Sequence, residues 1–175
     1  MTPRRRSGHT DDYHVPLLRR FTLWSPSVST PFDPRSEGWS PISGSGSGFV
    51  ELVGPYWQKE SPDGLRFGVV VETQHLNIQG RTHGGMLATY FDNALGWAVM
   101  DATGRVPCVT VQLGVQFIAG GKHGDFIEAR TRIVRKTRSM VFAEGSLYVG
   151  DTEIATASGV WKIINDPTPK LQPQV

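Results

Sequence analysis

"NIQGRTHGGMLATYFDNALGWAVM", residues 77–100, is the stretch of this 175-residue chain that decides its fold. A polar loop leads into two adjacent glycines, and a long apolar run follows with one carboxylate, Asp92, in its middle. The pattern predicts a helix over 84–100. Its apolar residues leave so little of the circumference polar that the helix should be buried almost all round.

Six segments with the pattern of β-strands surround this helix in the sequence. Along the third segment, Val111, Leu113, Val115 and Phe117 fall on one face and Thr110 falls on the other, as in a strand with one buried face. The segments are residues 49–60, 65–73, 108–119, 125–136, 139–150 and 153–164. The order β-β-α-β-β-β-β predicts an α+β fold, an antiparallel sheet wrapped around one long central helix.

Small residues on the last two segments predict where the helix lies. Strands without large side chains form a trough in which a helix backbone can come close to the sheet. The small residues are Ala143, Gly145, Ala155, Ala157 and Gly159. We therefore expect the helix over 84–100 to fill this trough.

Composition indicates one domain without a strong overall charge. The formal net charge is +2, but residues 1–20 carry five Arg against two Asp, so this part has a net charge of +3 and the remainder −1. A basic arm on a neutral body is typical of a solvated or loosely docked tail, and nucleic acid is not an expected partner. The single cysteine, Cys108, fits a reducing compartment. The sequence shows no signal pattern or membrane span, which predicts a soluble cytoplasmic protein.

Local composition divides the chain into three parts. Residues 1–48 are rich in Pro, Ser and Gly and are predicted to form a basic N-terminal arm and linker. Residues 49–164 should form the folded domain and residues 165–175 a C-terminal tail. Three side chains of the arm are large for a free tail, which indicates that part of the arm docks on the domain. They are Trp24, Phe32 and Trp39.

Asp92 and the two glycines each have a structural and a chemical interpretation. Asp92 is either a helix-edge acid bonded to a neighbour or an acid kept for chemistry. Gly84 and Gly85 either serve packing or leave N–H groups at the positive end of the helix dipole open to an oxyanion. Gly84 and Asp92 are about 12 Å apart along a helix axis at 1.5 Å per residue. Chemistry that uses both groups therefore requires a twofold dimer with antiparallel helices.

The motif "NIQGRTHGGMLATYFDNA", residues 77–94, closely resembles that of hotdog-fold acyl-CoA thioesterases of the PaaI-like group. The resemblance extends over roughly residues 49–163 and includes "VTVQLGVQFIAGGKHGD" after the helix. It implies a long helix wrapped by an antiparallel sheet and a homodimer with active sites at its interface. It also implies that dimers associate further into tetramers.

The resemblance implies a set of catalytic residues. Asp92 would be the general base or nucleophile, and the Gly84 N–H would polarise the thioester carbonyl. Asn77 would orient the substrate or the lytic water, and Thr110 would assist the same water. His83 would support the carbonyl-binding loop, although by itself it could equally be a capping or core histidine.

The family's coenzyme A contacts fall on two segments of this sequence. One is "FIAGGK", residues 117–122, and the other is the basic turn "RKTRSM", residues 135–140, where the charge also suits phosphates. An ordinary solvated turn is the alternative for the second segment. The substrate-binding residues implied in this way are Gly85, Phe117, Gly120, Gly121, Lys122, Arg135, Lys136, Thr137, Arg138 and Ser139. Thr137 in place of a common Gly, and the lack of Pro in "IQGR", bear on substrate preference.

The sequence thus predicts an enzyme that hydrolyses acyl-CoA to a free acid and coenzyme A. A thioester suits one carboxylate and an oxyanion site, because the thiolate leaves without a strong general acid. No metal and no cofactor apart from the coenzyme A of the substrate is expected, since the five His and one Cys show no ligand spacing. Another hotdog acyl-CoA enzyme, such as an enoyl-CoA hydratase, and a non-catalytic acyl-CoA sensor are the alternatives. Aromatic, short-chain and medium-chain acyl groups all stay open.

Overall fold

The structure, a computed structural model, describes residues 32–42, 48–62 and 64–164. The predicted tail and most of the predicted arm, including Trp24, lie outside these residues. The described elements are the helices α1 (Phe49–Val53) and α2 (Gly84–Ala102) and the strands β1 (Ser40–Pro41), β2 (Tyr56–Ser61), β3 (Gly64–Val70), β4 (Cys108–Phe117), β5 (Phe126–Lys136), β6 (Met140–Val149) and β7 (Thr152–Ile163). Single turns of 3-10 helix precede β1 and follow β3.

The strands form one antiparallel sheet in the order β1-β2-β3-β5-β6-β7-β4. Helix α2 follows β3 in the chain and packs against β4, β5, β6 and β7. The helix begins at Gly84 and ends at Ala102, close to the predicted bounds. The predicted α+β fold, an antiparallel sheet around one long helix, is therefore confirmed.

The buried side of α2 supplies much of the core. Its fully or nearly buried residues are Met86, Leu87, Tyr90, Phe91, Ala94, Leu95 and Val99. They lie over the predicted trough, where a Cβ on Gly145 would come within 3.3 Å of Leu95 Cδ2. Burying one Leu or Phe side chain stabilises the folded state by about 1.5–3 kcal/mol. The buried side chains of α2 therefore hold the helix on the sheet.

The prediction of a strand over residues 49–60 is wrong for the first half of this segment. Phe49–Val53 form the short helix α1, and strand β2 begins only at Tyr56. The Gly54 N–H closes the helical turn with a backbone hydrogen bond of 3.0 Å, and Pro55 follows without an N–H for a ladder. Four apolar residues and Glu51 are too few to show a period of their own, so the pattern could not separate a strand from a helical turn.

The predicted alternation along β4 fails at a β-bulge. Thr110 and Gln112 pair with consecutive residues of β7, so Val111 is an extra residue in β4. The bulge puts Thr110 on the face toward α2 together with Leu113, whereas strict alternation separates them. Val111 is 58% exposed, and its predicted place on the buried face is wrong.

Residues 32–42, which we name the N-terminal strap, lie against the sheet. Strand β1 pairs with β2 and adds a strand to the six predicted from the sequence. The ring centroids of Phe32 and Trp39 lie 4.7 and 4.8 Å from that of Phe126, on the face of the sheet away from α2. The strap thus covers one edge of the sheet and part of its outer face.

Candidate functional site

The start of α2 is capped by the side chain that precedes it. His83 is the N-cap residue, and its Nδ1 accepts a hydrogen bond from the Gly85 N–H at 2.9 Å. Its carbonyl accepts from the Leu87 N–H at 3.1 Å. Among the described residues the Gly84 N–H has no acceptor. It is left as a free donor at the positive end of the helix dipole.

The two glycines at this end differ in what surrounds them. A Cβ on Gly85 would lie 3.0 Å from His83 Nδ1 and would press on the cap. A Cβ on Gly84 would lie 3.4 Å from Phe117 Cζ, an ordinary van der Waals distance. Packing within one chain therefore accounts for Gly85 better than for Gly84. The missing side chain at Gly84 keeps the free N–H accessible.

Asp92 is half-buried in α2 and is held by strand β4. The hydroxyl of Thr110 donates a hydrogen bond to Asp92 Oδ1 at 2.7 Å, a contact that the β4 bulge makes possible. In the described part of the chain Asp92 Oδ2 has no hydrogen bond, and Asp92 forms no ion pair. The carboxylate thus has one oriented oxygen and one open oxygen.

One side of α2 stays partly accessible in the single chain. The prediction that α2 is buried almost all round is therefore wrong for one chain, because the sheet covers only part of the helix. The residues of this open side are Gly85, Thr89, Asp92 and Gly96. Small side chains leave room for another helix to pack closely against it.

Asn93, the residue after Asp92, ties α2 to β2. Its Nδ2 donates to the hydroxyl oxygen of Tyr56 at 3.0 Å, and Tyr56 stacks on Tyr90 with ring centroids 5.6 Å apart. Burial raises the pKa of Tyr56 to about 12, and the Asn93 hydrogen bond acts in the opposite direction. The neutral phenol fixes the rotation of α2 about its axis and so keeps Asp92 on the open side.

Asn77 organises the loop before α2. Its Oδ1 accepts hydrogen bonds from the Gln79 N–H at 2.9 Å and from the Arg81 N–H at 3.2 Å. Gly80 has a φ of +71°, in the left-handed region that glycine adopts without strain. In the single chain the side-chain oxygen of Asn77 therefore shapes the loop, while its Nδ2 has no acceptor among the described residues.

The predicted coenzyme A segment 117–122 lies beside the N-terminal end of α2. The Gly121 N–H donates to Thr82 Oγ1 at 2.9 Å, and the Thr82 N–H donates to the Gly121 carbonyl at 2.9 Å. This pair joins the segment to the loop before the helix. The predicted contact residues brought to this end are Phe117, Gly120, Gly121 and Lys122.

The basic turn, residues 135–140, lies at the opposite end of α2. Lys136 Nζ donates to the carbonyl of Ala102, the last helical residue, at 2.8 Å, which satisfies a carbonyl of the helix C-terminus. Thr137 Oγ1 accepts from the Met140 N–H at 3.0 Å and shapes the turn. Lys136 and Thr137 therefore have structural contacts of their own. The other predicted contact residues of the turn are exposed: Arg135, Arg138 and Ser139.

One chain does not bring the predicted groups into a single site. Gly84 and the segment 117–122 lie at one end of α2, and the basic turn lies at the other. Asp92 lies between them, about 12 Å from Gly84 along the axis at 1.5 Å per residue. The fold holds each group in place but keeps them apart.

A cleft of about 790 Å³ between α1 and α2 was missed by the sequence interpretation. Phe49 and Leu52 of α1 line it and are 64% and 70% exposed. The sequence pattern does not indicate this cleft, because it predicts a single strand over residues 49–60. The available signal was the pair of breaks around α1, Gly48 on one side and Gly54 followed by proline on the other.

The described ranges also bear on membrane and metal sites. Within them no helix combines the length and apolar character that crossing a membrane requires. No three His, Cys, Asp or Glu side chains of these ranges lie together as ligands for a metal ion. Cys108 is a free thiol.

Two protein sequences resemble this chain over its folded part. A Pseudomonas aeruginosa protein described as a candidate esterase is 33% identical over 129 residues, which cover 73% of this chain and 96% of that protein. Mouse acyl-coenzyme A thioesterase 13 is 30% identical over 87 residues, which cover 50% of this chain and 62% of that protein. The region matched by the family described next includes helix α2 and the strands β4, β5 and β6.

The family and a solved structure agree with these relatives. The model of the thioesterase superfamily matches residues 79–156. The crystal structure of zebrafish thioesterase superfamily member 2 has a TM-score of 0.63 at 25% identity and covers 69% of this chain and 90% of its own. With its seven-stranded sheet around α2, this chain belongs to the thioesterase superfamily as a PaaI-like thioester hydrolase of the hotdog fold.

Proposed function

We propose that this thioester hydrolase acts on acyl-CoA, releasing a free acid and coenzyme A, at two sites shared across a homodimer. The observation that carries the proposal is the open side of α2. It presents a free Gly84 N–H and an Asp92 oriented by Thr110, about 12 Å apart on one helix. The similarity to mouse acyl-coenzyme A thioesterase 13 supports acyl-CoA as the substrate class.

Asp92 acts as base or nucleophile in this reaction. As a base it takes a proton from water, whose oxygen attacks the carbonyl carbon; the C–S bond then breaks, and the departing thiolate accepts a proton. As a nucleophile it attacks the carbonyl carbon itself, expels the thiolate and forms an anhydride that water hydrolyses. In both cases the developing oxyanion accepts a hydrogen bond from the Gly84 N–H. Thr110, at 2.7 Å, keeps the carboxylate in the required orientation.

A twofold dimer joins the two separated groups. Among the residues that the structure describes, strand β4 lies at the edge of the sheet and pairs with β7 alone. Pairing of two β4 edges would continue the sheet and place two α2 helices side by side and antiparallel. Asp92 of each chain then lies beside Gly84 of the other. Further association of such dimers into tetramers is part of the same proposal.

The same dimer accommodates coenzyme A between its two segments. The antiparallel helices bring the segment 117–122 of one chain to the side of the basic turn of the other. The basic turn lies about 15 Å beyond Asp92, since ten residues separate Asp92 from Ala102 at 1.5 Å each. An extended pantetheine arm spans such a distance, so the exposed Arg135 and Arg138 would bind the phosphates.

We further propose that the reaction needs no metal and no separate cofactor and takes place in the cytoplasm. Water, one carboxylate and one oxyanion donor suffice for thioester hydrolysis. A non-catalytic acyl-CoA sensor would use the same groove without turnover. Another hotdog acyl-CoA enzyme, such as a hydratase, would act on the acyl chain and leave the thioester intact.

Replacing Asp92 by asparagine tests the proposal. Asp92→Asn should lower the turnover of acyl-CoA by about 10²–10⁴-fold, the usual contribution of a base, while the protein keeps its fold and still binds the substrate. Asp101→Asn removes an exposed acid from the end of the same helix and should change turnover little. Near wild-type turnover in Asp92→Asn would refute the mechanism. Binding without turnover in the wild type would favour the sensor.

A further inference from the structure

The cleft between α1 and the first half of α2 has apolar walls. On the α1 side Phe49 and Leu52 keep 64% and 70% of their surfaces exposed. On the α2 side lie Gly85, Met86 and Thr89. A cleft of about 790 Å³ with exposed large apolar side chains along its wall is typical of a ligand-binding site.

The cleft adjoins the place where the proposed function puts the thioester carbonyl. Gly85 and the N-cap residue His83 line one end of it, and the free Gly84 N–H belongs to the same turn. The acyl chain is bonded to the carbonyl carbon, so it must extend from that turn into adjoining space. In the proposed dimer the basic turn that serves this Gly84 belongs to the partner chain and lies beyond the N-terminal end of α2, whereas the cleft runs along α2 from Gly85 to Thr89. The two halves of the substrate therefore take different directions.

The cleft has no formal charge to offer a ligand. None of the nine lining residues is Asp, Glu, Lys or Arg within the described part of the chain. His75 lies buried in the wall, and burial lowers the pKa of its imidazole; nearby carbonyls and the Glu72 carboxylate oppose this shift more weakly. A carboxylate entering the cleft would lose its hydration without gaining a cationic partner, which is costly.

We propose that this cleft, which we name the acyl cleft, binds the acyl group of the substrate and that Phe49 and Leu52 select an uncharged, apolar acyl group of medium length. The inference rests on the proposed function, because that function places the thioester at Gly84. An acetyl group would leave most of the cleft empty. A dicarboxylic acyl group would carry an unpaired charge into it.

A series of substrates measured with the wild-type protein tests length and charge. Acetyl-, butyryl-, hexanoyl-, octanoyl- and succinyl-CoA are compared by the release of free coenzyme A. We expect kcat/KM to rise by about fourfold per methylene, the factor that corresponds to moving one CH₂ out of water. The kcat/KM for octanoyl-CoA should exceed that for succinyl-CoA by about tenfold or more, because the succinyl carboxylate has no cationic partner in the cleft.

Leu52→Lys tests the wall of the acyl cleft, with Glu51→Lys as its matched control. Both variants place a lysine on α1, but position 51 does not line the cleft. Leu52→Lys should lower kcat/KM for octanoyl-CoA by about tenfold. It should raise kcat/KM for succinyl-CoA relative to that for octanoyl-CoA, since the lysine ammonium pairs with the succinyl carboxylate. Glu51→Lys should leave the ratio of the kcat/KM values for the two substrates unchanged. Leu52 is 70% exposed, so its replacement leaves the core intact.

The outcomes separate this inference from the function on which it rests. A wild-type protein that hydrolyses no acyl-CoA would contradict the proposed function itself. Hydrolysis without a rise from acetyl to octanoyl, or equal substrate ratios in the two lysine variants, would overturn the acyl cleft alone. Sedimentation velocity tests whether a second copy of this chain covers the cleft instead of an acyl group. If Leu52→Lys converts a dimer to monomers, a second copy covers the cleft and the inference is wrong.

Discussion

The two edges of the sheet are finished in opposite ways. At one edge, strand β1 of the N-terminal strap covers β2, and Trp39, only 7% exposed, packs against Phe126. At the other edge, β4 has no neighbour beyond β7 within the part of the chain that the structure describes. Apolar side chains on and just after β4 are between 50% and 58% exposed; they are Val109, Val111, Phe117 and Ile118.

This difference indicates where the sheet is complete. An unpaired edge with exposed apolar side chains is a template for another strand, whereas proline at position 41 cannot donate a ladder hydrogen bond at the covered edge. The open edge also carries Thr110, which holds Asp92. The contrast therefore supports the proposed dimer through β4, with the covered edge contributing stability and the open edge contributing the active sites.

Placing a charge on the open edge should have the largest effect. Val111→Glu puts one buried carboxylate from each chain into the proposed β4–β4 seam, so the dimer should dissociate and kcat/KM should fall by about a hundredfold or more, because both shared sites are lost. Sedimentation velocity and thiol release measure the two effects. Val134→Glu, at a valine of β5 that is 49% exposed, is the control and should stay dimeric. An active Val111→Glu monomer would contradict the shared site.

Mixing two inactive variants should restore part of the activity. Asp92→Ala and Gly84→Val each damage both sites of a homodimer, but in a mixed dimer one site receives both lesions and the other receives none. Roughly half of the wild-type activity per mixed dimer is expected from this symmetry. A Cβ at Gly84 would contact Phe117 Cζ at 3.4 Å, and this ring is 56% exposed and can move aside, so the glycine variant should fold. Folded parents that exchange subunits without recovery would place both groups on one chain.

The sequence predicts helix α2 and the strands β5, β6 and β7 better than the covered edge, because their patterns arise from local interactions. The start of α2 is local, since His83, Gly84 and Gly85 set the cap within three residues. The alternation along β5, β6 and β7 is also local. The contacts of the N-terminal strap depend on Phe126, more than eighty residues away from it, and no local pattern encodes that pairing.

The proposed catalytic geometry depends on a β-bulge, which the alternation of residues along a strand does not predict. Thr110 reaches Asp92 because Val111 bulges out of β4, and the bulge is set by the register with β7. Lys136 belongs to the basic turn by sequence, but its amine is bound to the carbonyl of Ala102 at the end of α2. Residue types and spacing therefore predict which residues form the proposed site, while tertiary contacts decide which of their polar groups remain open.

Removing an aromatic ring from the covered edge should cost stability and leave activity. Trp39→Ala should lower the free energy of unfolding by about 3 kcal/mol, because a buried Trp leaves a large cavity. Its kcat/KM should stay within about twofold of wild type, since the strap is remote from β4. Urea unfolding measures the free energy of unfolding, and thiol release measures kcat/KM. Phe32→Ala, at a side chain that is 37% exposed, should cost less. A folded but inactive Trp39→Ala would show that the two edges are not independent.

The smallest effect is expected at Gly68, where β3 passes beneath the ring of Phe126. A Cβ on Gly68 would come within 2.8 Å of Cε1 and Cε2 of Phe126, so the ring would have to leave its place against Trp39. Gly68→Ala should therefore lower the free energy of unfolding by about 1–3 kcal/mol, the usual cost of overpacking. Once Phe126→Ala has removed the ring, the added methyl has nothing to displace, and the double variant should be more stable than the sum of the two single losses predicts. Strict additivity in urea unfolding would mean that the ring does not lie on Gly68, and the covered edge would then need another explanation.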